Sequence, residues 1–354
     1  MYCPSRNDRF ETCGVLTHAL QSDRVARMSA PYLNGKIVLI TGGTGTFGRA
    51  MVRHLLSMPK VKRVIVFSRD EYKQSEMAHE FKDKRVDFFI GDIRDRTRLI
   101  RAFNQVDVVI HAAALKQVPA LEYNPSEAIE TNIMGTKNVI DAAHDRNVER
   151  VLVISSDKAV QPINLYGATK MCAERLAIAA NSYRGRTGKT RISVVRYGNV
   201  IGSRGSLVEL IEKQKQTGTL TLTDGRMTRF WLHIEDIMKL VTKILGSMEG
   251  GEIFVPKMSS LRVEDVMREL APTCTIKTIG MRPGEKLHEV LITEHEAPRT
   301  KDLGDMFVVV PEFHPWTAKP YYSKAKTFPE NVIYVSNAPQ FLLSRTHVKK
   351  ILKI

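Results

Sequence analysis

Lys36-Ile-Val-Leu-Ile-Thr41-Gly42-Gly-Thr44-Gly45-Thr46-Phe47-Gly48-Arg49-Ala-Met-Val-Arg-His-Leu-Leu56 is the stretch on which the fold turns. Its first part is an uninterrupted apolar run of strand length, as expected of a parallel strand covered on both faces. Its last part has helical composition and spacing. Between them the glycines follow the pattern G-x-x-G-x-x-G. Gly42 permits a tight turn, Gly45 lets backbone amides approach a pyrophosphate, and Gly48 lets the helix lie close to the strand. The opening of the helix offers N–H groups and the positive end of its dipole to phosphate. Strand, glycine turn and helix in this order predict a dinucleotide-binding unit, with Gly42, Thr44, Gly45, Thr46, Phe47 and Gly48 along the cofactor.

Alternation continues outward from this unit. A second strand, Arg63 to Phe67, ends in Ser68-Arg69-Asp70, with Lys73 one turn on. Arg69 and Lys73 at a strand end favour a ribose 2′-phosphate and hence NADP(H), while Asp70 keeps NAD(H) open. Val86 to Ile90 leads into Gly91-Asp92-Ile93, where Asp92 is placed to meet an adenine edge or to cap the helix beginning near residue 95. A fourth strand, 107–111, runs into Ala112-Ala113-Ala114, small residues that let backbone pass close to the cofactor. A long helical pattern then covers 125–146 and contains Asn132, suited to bond backbone or to hold a relay water.

The fifth strand, Val151 to Ile154, carries the chemistry. It opens into Ser155-Ser-Asp-Lys-Ala-Val-Gln-Pro-Ile-Asn-Leu-Tyr-Gly-Ala-Thr-Lys170. Ser156, Asp157, Lys158 and Tyr166 are four groups capable of proton transfer within a few turns of chain. Lysine beside aspartate at the end of an apolar strand is costly unless something polar happens there. Tyr166 and Lys170 form a Tyr-x-x-x-Lys pair, stacked on one face of a helix. The ammonium is expected to lower the phenol's pKa and to touch the nicotinamide ribose, so that a phenolate can take a hydroxyl proton during hydride transfer.

Strands alternating with helices, and polar residues at strand carboxyl ends, specify an α/β fold: a doubly wound parallel Rossmann sheet with a smaller C-terminal substrate-binding α/β domain. We expect residues 1–34 to be a flexible extension, 35–200 the nucleotide-binding domain with the catalytic residues, and 201–354 mainly the substrate domain and tail. The latter has shorter elements, including helices near 207–216, 234–247 and 263–270. A polar turn stands at Arg282-Pro-Gly-Glu285-Lys286, and a basic helical pattern at Val348 to Leu352.

A chain of 354 residues suits one large α/β domain with a companion, and 43% hydrophobic content is that of a globular protein. The formal charge of +15 invites a nucleic-acid reading. The basic residues are dispersed without an arm or motif, so a basic enzyme with a phosphorylated ligand is the expectation, with no nucleic acid. No apolar run approaches membrane-span length, so no membrane partner is expected. Cys3, Cys13, Cys172 and Cys274 lack metal or disulfide spacing, which fits a reducing, cytoplasmic location and no metal.

The glycine turn, Ala112-Ala-Ala114, Ser156 and Tyr166-x-x-x-Lys170 resemble an extended short-chain dehydrogenase/reductase. Ser155-Ser-Asp-Lys-Ala, Pro162-x-Asn-x-Tyr-Gly-Ala-Thr-Lys170, Arg196-Tyr-Gly-Asn-Val, Gly202-Ser-Arg-Gly-Ser206, Thr228-Arg-Phe230 and Met281-Arg-Pro-Gly-Glu-Lys286 are similar to the inverting UDP-N-acetylglucosamine 4,6-dehydratases. The resemblance runs from about residue 35 to the C-terminus. It implies that Tyr166 takes the C4 hydroxyl proton as hydride passes to NADP⁺. Lys158, as a neutral base, removes the C5 proton, and Asp157, as an acid, expels the C6 hydroxyl as water. Burial and the cation at Lys170 are expected to keep Lys158 neutral. Asp157-Lys158 distinguishes this group from retaining 4,6-dehydratases, which carry Asp-Glu there, and from 4-epimerases, which lack both. Ser156 stands where threonine is usual and keeps the hydroxyl. Lys116, Asn199, Arg204, Arg229, Arg282 and Glu285 are the implied contacts to UDP-N-acetylglucosamine, and a homo-oligomer is implied.

Overall fold

The buried apolar runs become the centre of one sheet in the computed structural model, which describes residues 32–184, 188–202, 206–312, 321–330 and 332–353. β1 (Ile37–Thr41), β2 (Arg63–Ser68), β3 (Val86–Ile90), β4 (Val108–His111), β5 (Arg150–Ser156) and β6 (Arg191–Tyr197) lie parallel in the order β6-β5-β4-β1-β2-β3. The order reverses between β1 and β4, the switch point where a crevice forms beyond the strand carboxyl ends. Every residue of β1 is buried, as expected of a strand with helices on both faces.

The connecting helices are α1 (Thr46–Leu56), α2 (Glu71–Glu80), α3 (Arg96–Ala102), α4 (Val118–Tyr123), α5 (Pro125–Ala128), α6 (Gly135–Asp145) and α7 (Leu165–Ala179). Asp70 caps α2 by accepting from the Lys73 N–H at 3.0 Å. Asp95, not Asp92, caps α3, accepting from the Arg98 N–H at 2.9 Å. The pattern expected as one helix over 125–146 is interrupted by a π-helical segment, Ile129–Met134, between α5 and α6. Such widened turns concentrate at functional sites.

Beyond β6 the chain serves two bodies. β7 (Asn199–Ile201), α8 (Leu207–Lys215), β8 (Thr219–Leu222), β9 (Thr228–His233) and α9 (Ile234–Ser247) come first. β10 (Ile253–Pro256) then returns to pair with β6, and β11 (Ser259–Arg262), α10 (Val263–Leu270), β12 (Thr275–Thr278) and β13 (Val290–Ile292) follow. β14 (Thr300–Asp302), β15 (Met306–Val309) and β16 (Lys326–Thr327) extend the sheet past β10 to ten strands. β17 (Tyr334–Val335) pairs with β13, and α11 (Val348–Leu352) lies near the C-terminus.

A second hydrophobic cluster gathers Ile211, Leu220, Trp231, Leu261 and Val266, and α11 covers it with Val348 and Leu352. Residues 1–31 of the expected extension lie outside the described residues, but Leu33 is fully buried and Tyr32 stacks 3.7 Å from the Arg150 guanidinium. Residues 32 and 33, counted in the expected extension, are therefore packed against the sheet domain. Among the described residues no helix is long and apolar enough to cross a membrane.

Candidate active site

A cavity of about 770 Å³ opens along the carboxyl edge of the sheet, within the range of small-molecule sites. Gly42, Thr44, Gly45, Thr46 and Phe47 form one wall, and Ser68, Arg69, Asp70, Lys73, Asp92 and Ile93 another. Ala112, Ala113, Ala114, Lys116, Ser156, Asp157, Lys158, Tyr166, Lys170 and Asn199 complete the set that sequence placed there. Gly42 has a left-handed φ of +67°, and a Cβ on it would come within 2.8 Å of Ala113 Cα, so the turn and the β4 loop close on each other only without a side chain. Gly45 is the N-cap of α1 and supplies no side-chain cap, and Gly45, Thr46 and Phe47 line the cavity where the positive end of the helix dipole suits an anion.

Two of the expected cofactor residues stand behind the wall. Gly48 is buried against the Gly43 backbone, where it lets α1 approach the turn. Asn132, in the π-helical segment, accepts from the Leu115 N–H at 2.8 Å and donates to Leu115 O at 2.9 Å and to Thr169 Oγ1 at 3.0 Å. It ties the β4 loop to α7 rather than facing the cavity to hold a relay water. At the β2 end the basic side chains have acidic partners: Arg69 lies 3.5 Å from Asp92, and Lys73 pairs with Asp70. Asp92 also accepts from Arg94 at 2.8 Å, so its carboxylate serves two arginines.

The catalytic segment is built from β5, a 3₁₀ turn at Asp157–Ala159, and α7. Asn164 caps α7, accepting from the Gly167 N–H at 2.7 Å and donating to Gly284 O at 2.8 Å. A Cβ at Gly167 would stand 2.2 Å from Lys158 O. Glycine after the tyrosine is what lets the tyrosine helix rest on the Asp-Lys turn.

The charges here differ from expectation in two respects. Burial raises the Tyr166 phenol above its ordinary value, and the Ser156 hydrogen bond and the Lys158 charge only partly offset this. Lys170 donates to Ile154 O at 2.6 Å and burial draws it down to about 8; the cation that lowers the phenol here is Lys158, not the Lys170 expected from the Tyr-x-x-x-Lys spacing. Burial also pulls Lys158 downward, but Asp157 at 3.0 Å and Glu289 at 3.5 Å outweigh it and hold the ammonium protonated. The neutral lysine expected from burial and from Lys170 is therefore not the resting form. Asp157 is 1% exposed and is raised as well: burial lifts it, with Lys158 opposing and Glu289 reinforcing the rise. A solvated surface pair is excluded by that burial.

Not all expected substrate residues reach the cavity. Arg229 points inward, donating to Thr228 O at 2.8 Å, Leu287 O at 3.1 Å and Lys286 O at 2.9 Å, with Glu289 at 3.7 Å. Arg282 and Glu285 do not line the cavity; their turn docks on the catalytic segment instead, where Lys286 Nζ donates to Val160 O at 2.5 Å. Arg204 lies outside the described residues.

Sequence reading missed Glu289, Gln117, Tyr197 and Trp231. Trp231 lines the cavity although its ring belongs to the second hydrophobic cluster. Its Nε1, Thr131 Oγ1, Ser155 Oγ and Asp157 Oδ2 are buried without hydrogen-bond partners, and all four residues line the cavity. Only the adjacency of Trp231 to Thr228-Arg-Phe230 pointed to it; the register that sets it opposite Asn199 is tertiary information.

Residues 38–311 match the family described as "Polysaccharide biosynthesis protein". The chain is 48% identical over 280 residues to an inverting UDP-N-acetylglucosamine 4,6-dehydratase of Campylobacter jejuni, covering 78% of this chain and 84% of the relative. Among solved structures, Pen from Bacillus thuringiensis superposes with a TM-score of 0.84 at 39% identity, over 91% of this chain and 98% of that one. DesIV, a dTDP-glucose 4,6-dehydratase from Streptomyces venezuelae solved with NAD and TYD bound, gives 0.64 at 27% identity, over 71% and 86%. On the extent of the family match and of the C. jejuni similarity, this chain belongs to the polysaccharide biosynthesis protein family.

Proposed function

We propose that this chain is an inverting UDP-N-acetylglucosamine 4,6-dehydratase that uses a nicotinamide dinucleotide. The observation that carries the reading is the Asp157–Lys158 pair, 3.0 Å apart and beside Tyr166 on a cavity built for a dinucleotide. A hydroxyl-to-ketone oxidation needs only the tyrosine; an adjacent acid and base are what water elimination adds. The residues present fit the cofactor: the uncapped α1 N-terminus suits its pyrophosphate, and the orphaned Ser155 and Thr131 hydroxyls suit its polar edge. Bound there, the nicotinamide ring would take hydride from C4 and return it at C6. Arg69 and Lys73 at the ribose end support NADP, although both already hold a carboxylate.

Tyr166, in the ionised form that the Ser156 hydrogen bond and the Lys158 charge favour against burial, removes the C4 hydroxyl proton. The resulting 4-ketone acidifies the C5 proton by several powers of ten, so a weak base suffices. Transfer of one proton from the Lys158 ammonium to the Asp157 carboxylate, along their hydrogen bond, yields a neutral amine and a neutral acid with no change in total charge. Lys158 then takes the C5 proton while Asp157 protonates the C6 hydroxyl, which leaves as water. Reprotonation of C5 from the opposite face gives the inverted 6-deoxy-4-keto sugar. Trp231 Nε1 and Asn199, opposite one another in register, are placed to contact the sugar nucleotide.

The test is to incubate the protein with UDP-N-acetylglucosamine in deuterated water and follow the sugar by NMR. A 6-deoxy-4-keto product carrying deuterium at an inverted C5 is expected; simple epimerisation at C4 would sink the reading. Lys158→Ala should abolish deuterium entry at C5 while some reduction of bound cofactor survives.

A further inference from the structure

Glu289 lies at the end of the Met281–His288 turn, immediately before β13, and is 2% exposed. No feature of its local sequence marks it. Yet three cations converge on it from three parts of the chain. Lys158 Nζ, from the turn after β5, is 3.5 Å from Oε1; Arg229 Nε, from β9, is 3.7 Å from the same atom; Lys286 Nζ is 3.8 Å from Oε2. Its backbone is fixed on both sides by Ser336, whose Oγ accepts from the Glu289 N–H at 2.9 Å and whose N–H donates to Glu289 O at 2.8 Å. Arg229 is itself held by three carbonyl oxygens, so the carboxylate sits against a fixed guanidinium.

We propose that Glu289 is a positioning residue for the dehydration, whose buried carboxylate governs how protons are shared across the Asp157–Lys158 pair. The inference rests on the function proposed above. Lys158 is the only group that touches both acids, Asp157 on one side and Glu289 on the other, among the described residues. A carboxylate there does two things at once. It stabilises the ammonium of Lys158, and it repels a negative Asp157, favouring the acid form that the leaving hydroxyl needs. Arg229 and Lys286 work against both effects by balancing Glu289, and Lys158 foremost, with Arg229 and Lys286, holds its carboxyl below the usual range despite burial. Asp157 and Lys158 feel Glu289 and Arg229 together, and Tyr166 feels the Asp157–Lys158 pair in turn.

The sign of the effect follows. Removing the Glu289 charge lowers the pKa of Lys158, because one anion that held its proton is gone. It also lowers the pKa of Asp157, because one anion that opposed its ionisation is gone. Activity rises with pH as the base loses its proton and falls as the acid loses its own. Both limbs of the pH profile therefore move to lower pH together. A purely structural glutamate has no such signature, since its loss reduces the height of the profile without displacing it.

The experiment is kcat against pH for the wild type, Glu289→Gln and Glu289→Asp with UDP-N-acetylglucosamine, with melting temperature measured alongside. Glu289→Gln should move the optimum down by about one pH unit or more, the shift typical of a charge at this range. Glu289→Asp keeps the charge and should stay centred where the wild type is, at reduced height. A Gln profile that is merely lower but still centred on the wild-type optimum overturns the proposal, as does an Asp profile displaced like that expected of Gln. If Gln does not fold, Lys286→Met decides: loss of this balancing cation should displace both limbs to higher pH, and an undisplaced profile overturns the proposal. Failure of the wild type to dehydrate the substrate would instead overturn the function on which the inference rests.

Discussion

At the scale of single residues, Arg69 shows how position and availability differ. It stands at the end of β2, where a 2′-phosphate would sit, but its guanidinium is already within 3.5 Å of Asp92. A phosphate must compete with that carboxylate, and an exposed pair of this kind contributes little by itself. Replacing Arg69 by alanine should therefore weaken NADP by about tenfold, the weight of one charge-assisted hydrogen bond, and leave NAD nearly unchanged. Titration with each cofactor checks this, and equal losses would count against the proposed use of NADP. Single residues were also where reading the sequence reached least far. Tyr166 and Lys170 announce themselves by spacing, and Asp157 by its place after an apolar strand. Glu289 has no such signal, since its role comes from Lys158 and Arg229, which reach it from distant parts of the chain to join the nearby Lys286. Arg229 was assigned to the ligand on its motif alone, whereas the fold turns it inward onto carbonyl oxygens.

At the scale of elements, the tyrosine helix and the Asp-Lys turn act as one unit because nothing stands between them. Gly167 is the contact point, and an added methyl group would meet the Lys158 carbonyl oxygen. Gly167→Ala should push the turn away from α7 and displace Lys158 relative to Tyr166. A misplacement approaching 1 Å at reacting groups costs on the order of a hundredfold in rate. The overpacking itself should cost about 1–3 kcal/mol. Steady-state kinetics with a parallel melting curve separates the two, and a variant with wild-type kcat would refute the contact's importance. Elements were the best-read level, because periodicity and glycine placement are local. β1, α1 and α7 follow from their own residues. The π-helical segment around Asn132 does not, since a widened turn leaves no compositional mark.

At the scale of the molecule, the cofactor half and the rest of the chain are locked by a buried ion network. Arg196 of β6 is 5% exposed and donates to Glu174 of α7 at 2.8 Å, to Glu296 at 2.9 Å and to Leu291 O at 3.1 Å. Glu174 lies one helical turn beyond Lys170, and Leu291 belongs to β13, the strand that follows Glu289. Arg196→Met leaves two buried carboxylates without their cation, which should cost about 3–5 kcal/mol. Urea denaturation measures this, and a loss below about 1 kcal/mol would show that the network is not structural. The sheet's extension was hidden for a comparable reason. Ile253–Pro256 and Met306–Val309 are short apolar runs that could have joined any layer, and only pairing with β6 and with each other places them.

That extension has a bearing on how such a protein can be altered by recombination. Because β10, β14, β15 and β16 complete the sheet that begins at β1, the polypeptide crosses from the large sheet to the second hydrophobic cluster and back again. A gene fusion that exchanged everything after residue 201 would bring in a foreign edge for β6 along with any new sugar contacts. Grafting a different sugar preference therefore calls for exchanging interior segments, around β7 to β9 and the turn before β13, while the strands between them stay with their host.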